Sequence, residues 1–207
     1  MKKYWAELIG TFILVFAGTG SIVVNELYGN ITNLGIALVF GLAVMSVIYS
    51  IGDISGAHIN PAVSISFWVS KRMNGKEVFP YIFFQLIGAF LASLTIKILF
   101  PESPTLGSTL PSGSWEQSFV LEFILTFILM FVILQVSSGS KETGSMAAIV
   151  IGSVVALAAI LAGPACGASM NPARSIAPAV IEGNLTYLWL YIVATSSGAV
   201  ASVGAYK

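Results

Sequence analysis

The sequence predicts an all-α membrane protein of six transmembrane helices plus two re-entrant half-helices, arranged as an inverted repeat. Three observations predict it. Charge is scarce: nine Lys+Arg and nine Asp+Glu make 9% of 207 residues, against roughly 25% in an average soluble domain. Six apolar stretches are long enough to cross a bilayer. One segment containing Asn-Pro-Ala occurs twice, at matching places in the two halves.

The charge count also excludes functions. A chain that is 57% hydrophobic, with a mean hydropathy of +0.92, cannot make the charged skin of a soluble fold. An ordinary soluble enzyme and a disordered chain are both ruled out. Net charge zero offers no basic patch for phosphates, which argues against a nucleic-acid partner. A single cysteine, Cys166, leaves no intrachain disulfide and no zinc cluster. No Ser/His/Asp set, metal cluster or phosphate-binding loop marks an enzyme, and no cofactor or metal is expected.

The elements follow in order. A bilayer core takes about 20 mostly apolar residues per helix. Residues 4–24 meet that length after Met1-Lys2-Lys3 and contain Glu7. A secretory signal has a shorter apolar region and a small-residue cleavage site, so this is read as a retained span. Further spans are predicted at 34–51, 78–100, 119–136, 146–162 and 185–205, each bounded by Gly, Pro, Asn, Ser or charged residues. The apolar stretches 61–70 and 172–181 are too short to span. Each opens with proline directly after an asparagine, the pairing of first helical residue and N-cap. Both are predicted to be half-helices that begin at membrane depth, with 52–59 and 163–170 as the non-helical backbone leading into them.

Positive charge sets the orientation. Lys2, Lys3, Lys71, Arg72, Lys76, Lys141 and Lys207 all fall on one side of a six-span chain, which predicts cytoplasmic N- and C-termini. The opposite loops hold Glu26, Glu102, Glu116 and Glu182, and Lys97 ends a span there with a stem able to snorkel. Arg174 lies near no loop or span end.

Self-comparison is the most informative step. The decad Glu7-Leu-Ile-Gly-Thr-Phe-Ile-Leu-Val-Phe16 resembles Glu122-Phe-Ile-Leu-Thr-Phe-Ile-Leu-Met-Phe131. SGAHINPAVSI, from Ser55 to Ile65, resembles CGASMNPARSI, from Cys166 to Ile176. The chain is therefore one domain, 1–207, of two repeats at about 1–103 and 115–207. Three spans per repeat is an odd number, so the halves enter from opposite sides and place a site at their interface near the midplane. Non-helical backbone survives at that depth only inside protein or along a water-filled cavity. Two helix N-termini would face one spot with positive ends that repel cations. The Asn60 and Asn171 amides can donate two hydrogen bonds to a passing oxygen. A water held by both lone pairs cannot accept a proton from its neighbour, so water passes while proton hopping is opposed.

These residues resemble the aquaporin, or major intrinsic protein, family over essentially the whole chain. The pore motifs are Asn60-Pro61-Ala62 and Asn171-Pro172-Ala173, with Arg174 after the second. GASMNPARSIAP resembles the nodulin-26-like intrinsic proteins of plants and their bacterial relatives. The long soluble tails of the plant members are absent, from which a bacterial origin and no tail-based gating are expected. The resemblance implies a selectivity filter at Phe40, Ala159, Ala168 and Arg174. Strict water channels use histidine where Ala159 stands, and glycerol facilitators carry an Asp where Ser175 stands. A passive channel for water and small uncharged solutes is therefore expected, with glycerol, urea and metalloid acids such as arsenite as the solutes. The resemblance further implies a homotetramer, one pore per subunit, in the inner (plasma) membrane.

Other readings stay open at this point. A strict water channel is one alternative. An ion-coupled transporter shares the broken-helix plan, but the centre here holds two neutral asparagines rather than a coupling carboxylate. Glu7 and Glu122 are intramembrane carboxylates, either a proton relay or supports for the re-entrant loops, and their symmetric placement favours support. His58 is either a sensor of cytoplasmic pH or a hydrogen-bonded loop residue. Cys166 is a small residue near the outer mouth, where exposure would make it a mercurial target. Gly10, Gly18, Gly41, Gly88 and Gly198 allow close helix crossing.

Overall fold

The structure is a computed structural model that describes residues 1–138 and 141–206, without the side chains of 141–145. Lys207 and the side chain of Lys141, two cations assigned to the cytoplasmic side, lie outside the described residues.

Among the described residues eight helices follow one another: α1 (Lys2–Tyr28), α2 (Thr32–Ser55), α3 (Pro61–Val69), α4 (Gly75–Leu99), α5 (Trp115–Val136), α6 (Lys141–Cys166), α7 (Pro172–Glu182) and α8 (Leu188–Tyr206). Six are long and apolar enough to cross a membrane, and α3 and α7 are the two short ones. The sequence places the breaks before α3 and α7 too early. Residues 52–55 and 163–166 are still helical. Gly52 and Gly163 do not end their helices; their carbonyls accept the closing bonds from the N–H groups of Gly56 (2.8 Å) and Gly167 (2.9 Å). Gly56 and Gly167, both at φ +83°, are where the chain turns out of the helix.

The halves pack in equivalent ways, as repeats related by a two-fold rotation do. α1 lies on α2 and α4, as α5 lies on α6 and α8, while α2 meets α6 across the centre. Each half-helix packs on one long helix of its own half and one of the other: α3 on α4 and α8, α7 on α8 and α4. Glycine makes these crossings possible. A Cβ at Gly88 would lie 2.2 Å from the Leu8 carbonyl oxygen, and one at Gly198 would lie 2.2 Å from that of Phe123. Gly41 and Gly152 oppose each other in the same way. Lipid tails offer no hydrophobic gain for helix association, so this backbone approach supplies the packing. Large apolar side chains such as Ile9, Ile13, Leu38, Leu42, Ile124 and Leu161 remain exposed on the outside.

One end of the bundle gathers Lys3, which bonds Glu77, and Arg72, whose Nη2 donates to the Ser137 carbonyl at 2.9 Å. At the other end Thr105 and Ser108 donate to Glu26 and Glu182. The first is the basic end of the bundle and the second the acidic end.

Candidate pore

The two re-entrant corners are strained and held. Ala57 (φ +46°) and Ile59 (+43°) mirror Ala168 (+41°) and Met170 (+52°). L-residues visit this region at a cost, and a β-branched isoleucine more so. Buried carboxylates offset that cost. Glu7 Oε1 accepts from the His58 N–H (2.9 Å) and Ser55 Oγ (2.7 Å). Its Oε2 accepts from the Ile59 N–H and Gln85 Nε2, both at 2.7 Å. Glu122 accepts from the Ser169 N–H (2.7 Å) and the Met170 N–H (2.9 Å). Two tyrosines complete the mirror: Tyr81 donates to the Ser55 carbonyl (2.8 Å) and Tyr191 to the Cys166 carbonyl (2.9 Å).

The half-helices begin at the centre. Asn60 Oδ1 accepts the Ala62 N–H at 2.9 Å, and Asn171 Oδ1 accepts the Ala173 N–H at 3.0 Å, with Pro61 and Pro172 at the first helical position. Each amide also crosses to the opposite loop. Asn60 Nδ2 donates to the Met170 carbonyl (2.7 Å), and Asn171 Nδ2 to the Ile59 carbonyl (2.8 Å). An amide NH₂ has two hydrogens. One is spent on the crossing bond, and one per asparagine is left for the lumen that both residues line.

One cavity runs from this centre, and a second adjoins it on the outer side. The inner one, about 140 Å³, extends past Asn60, Asn171 and His58 to Ile48, Ser137 and Ala147 near the basic end. The outer one, about 270 Å³, is lined by Ile22, Glu26, Asn33, Thr105 and Ser108 near the acidic end. Both exceed by far the ~10–15 Å³ that one water needs. Phe40, Ala159, Ala168 and Arg174 line both cavities and so form the wall where they meet. The structure thus brings the four expected filter positions together.

Arg174 is 1% exposed. Its Nη1 donates to the Gly107 carbonyl at 2.7 Å, and its guanidinium carbon lies 5.3 Å from the Phe40 ring centre. Nε and Nη2 have no protein partner among the described residues. A buried guanidinium with free donors is costly unless something polar meets them. The loop that carries Gly107 is anchored at several points. Glu26 accepts from Thr105 Oγ1 (2.6 Å), Glu182 accepts from Ser108, and Thr109 Oγ1 donates to Ser175 Oγ (2.8 Å). Gly107 itself sits at φ +69° against the Thr19 backbone, where a Cβ would be 2.8 Å from the Thr19 carbonyl oxygen.

His58 lines the inner cavity, meets Ser64 Oγ at 3.0 Å through Nδ1 and stacks on Phe67 with ring centres 4.6 Å apart. Cys166 is fully buried and lines neither cavity, so it packs as a small residue and the condition for a mercurial target, exposure, is not met. Helix α6 extends far enough to carry Cys166 behind the corner, under the Tyr191 hydroxyl. Sequence reasoning missed Tyr81, Gln85, Tyr191 and Gly107. Tyr81-Ile82 with Gly88, and Tyr191-Ile192 with Gly198, repeat the same spacing, a third internal match that would have found the tyrosines.

Residues 1–206 match the family model described as Major intrinsic protein. The chain is 44% identical over 209 residues to Aquaporin NIP1-1 of Zea mays, which covers 100% of this chain and 74% of that protein. It is 45% identical over 209 residues to Nodulin-26 of Glycine max, covering 100% of this chain and 77% of that one. The solved structure of the aquaglyceroporin from Plasmodium falciparum superposes with a TM-score of 0.87 at 28% identity, covering 99% of this chain and 94% of that chain.

Proposed function

The chain belongs to the major intrinsic protein family, and on that premise we propose a passive pore for water and small uncharged solutes, closed to protons and ions. As a member of that family the protein is a membrane channel for water and small solutes and not an enzyme. The finer reading concerns which solutes pass and how ions are refused.

The wall shared by the two cavities carries the reading. Phe40, Ala159, Ala168 and Arg174 form the filter, with small side chains at two of its four positions. Glycerol, urea and metalloid acids such as arsenous acid need that width. Arg174 sets its guanidinium, a hydrogen-bond donor, on that wall to meet their hydroxyl or carbonyl oxygens as water is stripped away. The guanidinium also presents a fixed positive charge to cations.

At the centre, one N–H from Asn60 and one from Asn171 hold a passing water by its oxygen. Its own hydrogens then point away from both loops, so it cannot relay a proton along the file. The N-terminal ends of α3 and α7 add their positive partial charges at the same point. Glu7 and Glu122 are loop supports in this reading, because their oxygens are occupied by the corner N–H groups. The basic end faces the cytoplasm of a plasma membrane, and four copies assemble with one pore each.

Stopped-flow light scattering on proteoliposomes tests the reading with water, glycerol, urea and arsenous acid. Flux linear in the solute gradient and indifferent to Na⁺ or pH gradients is expected for all four. Passage of water with exclusion of both glycerol and arsenous acid would contradict the wide filter, and flux driven by an ion gradient would indicate a coupled transporter.

A further inference from the structure

Helix α1 lines the lumen with one stripe. Leu14 lines the inner cavity and Ile22 the outer one. These positions are eight apart, on one helical face. Midway between them stands Gly18, which has no side chain to contribute. The Phe40 ring from α2 occupies that place. A Cβ built on Gly18 would lie 2.1 Å from Phe40 Cε1, 2.4 Å from Cζ and 2.5 Å from Cδ1. Among the described glycines no other is so filled by a lumen-lining ring.

We propose that Gly18 is a specificity-determining residue, setting the width of the filter by seating Phe40 back against α1. This rests on the reading of Phe40 as a filter wall. Any side chain at position 18 must displace the ring, because the α1 backbone is fixed between α2 and α4. On its other side Phe40 lines the two cavities, so the ring moves that way. The Arg174 guanidinium lies 5.3 Å from the ring centre and shares the same wall. Movement into the lumen therefore narrows the gap that a three-carbon polyol must pass, while a single water loses less.

The mirror-related positions support the pairing. Leu129, Ile133 and Ile151 correspond to Leu14, Gly18 and Phe40, and all three line the inner cavity. Where the wall helix supplies its own side chain, Ile133, the residue opposite is aliphatic. Where it supplies none, an aromatic fills the place.

The test compares Gly18→Ala, Phe40→Leu and the double variant with wild type in proteoliposomes, reading the ratio of glycerol to water permeability. Gly18→Ala is expected to lower that ratio roughly fivefold. Phe40→Leu is expected to raise it, and the double variant to return it toward wild type. If Phe40→Leu shifts the ratio while Gly18→Ala leaves it at the wild-type value, the seating role is wrong and the filter stands. If Phe40→Leu has no effect either, Phe40 is not a filter wall. Should Gly18→Ala not fold, the double variant decides: it folds and passes glycerol if the clash is with the ring, and its failure to fold overturns the proposal.

Discussion

The outer and inner halves of the lumen are lined by mirror-related positions put to different uses. Twenty residues before Asn60 lies Phe40, and twenty before Asn171 lies Ile151. Twelve before Asn171 lies Ala159, and twelve before Asn60 lies Ile48. Ala168 mirrors Ala57, and Arg174 mirrors Val63. Where the outer quartet is Phe40, Ala159, Ala168 and Arg174, the inner one is Ile151, Ile48, Ala57 and Val63, and every one of the eight lines the inner cavity. The scaffold behind them, by contrast, is nearly the same twice: a carboxylate under each corner, a tyrosine on each helix end, an asparagine at each cap. Symmetry builds the fold here, and the departures from it are concentrated on the lumen wall.

The sharpest way to break that contrast is to make the outer quartet match the inner one in charge. Arg174→Val removes a positive charge worth up to about 4 kcal/mol against a cation at contact distance in a partly screened site. That corresponds to a gain of up to nearly a thousandfold in cation or proton leak, measurable with a pH-sensitive dye in liposomes. The inner Val63→Leu should leave ion exclusion at its wild-type level.

The supporting carboxylates differ next. Glu7 holds four donors and Glu122 two from the same corner. A Gln amide turned against those donors leaves buried groups unpaired at about 1–3 kcal/mol each. Both Glu7→Gln and Glu122→Gln should lower the thermal midpoint in detergent, Glu7→Gln by more. An equal or reversed order would show that the extra contacts of Ser55 and Gln85 contribute nothing.

At the centre the halves should behave alike. Asn60→Ala and Asn171→Ala each lose a helix cap of about 1 kcal/mol and one crossing hydrogen bond of similar size. Their destabilisation should agree within about 0.5 kcal/mol, the usual scatter between independent sites. The smallest effect belongs to Ile48→Ala, the mirror of a filter position. The glycerol-to-water ratio should stay close to wild type if, as proposed, discrimination resides in the outer quartet.

Much of this was legible in the sequence. The twice-repeated Asn-Pro-Ala predicts where α3 and α7 begin, because the cap and first-turn preferences of Asn and Pro are local. Glu7 and Glu122 stand out because carboxylates inside apolar spans are costly. The four residues on the wall shared by the two cavities, Phe40, Ala159, Ala168 and Arg174, follow by counting from the motifs. Helix ends were less legible: Gly52 and Gly163 look like breaks, whereas Gly56 and Gly167 are the residues in the left-handed conformation. A glycine's backbone angle is set by what surrounds it, not by its neighbours in sequence. The role of Gly107 was hidden for a similar reason. It lies in a loop without periodicity, and its meeting with Arg174 spans 67 residues. In the sequence Gly18 reads as a helix-crossing residue, and only the packed Phe40 ring reveals what fills its place.

The central claim is that a filter of two alanines, one phenylalanine and one arginine admits solutes wider than water. Ala159→His restores an imidazole at the position facing Phe40 and Arg174 along the shared wall. Stopped-flow comparison of the two proteins in the same liposomes is the direct measurement. Wild type should pass glycerol, and the histidine variant should lose most of that flux while water permeability persists. Equal glycerol flux in both proteins, at matched incorporation, would contradict the assignment of the filter.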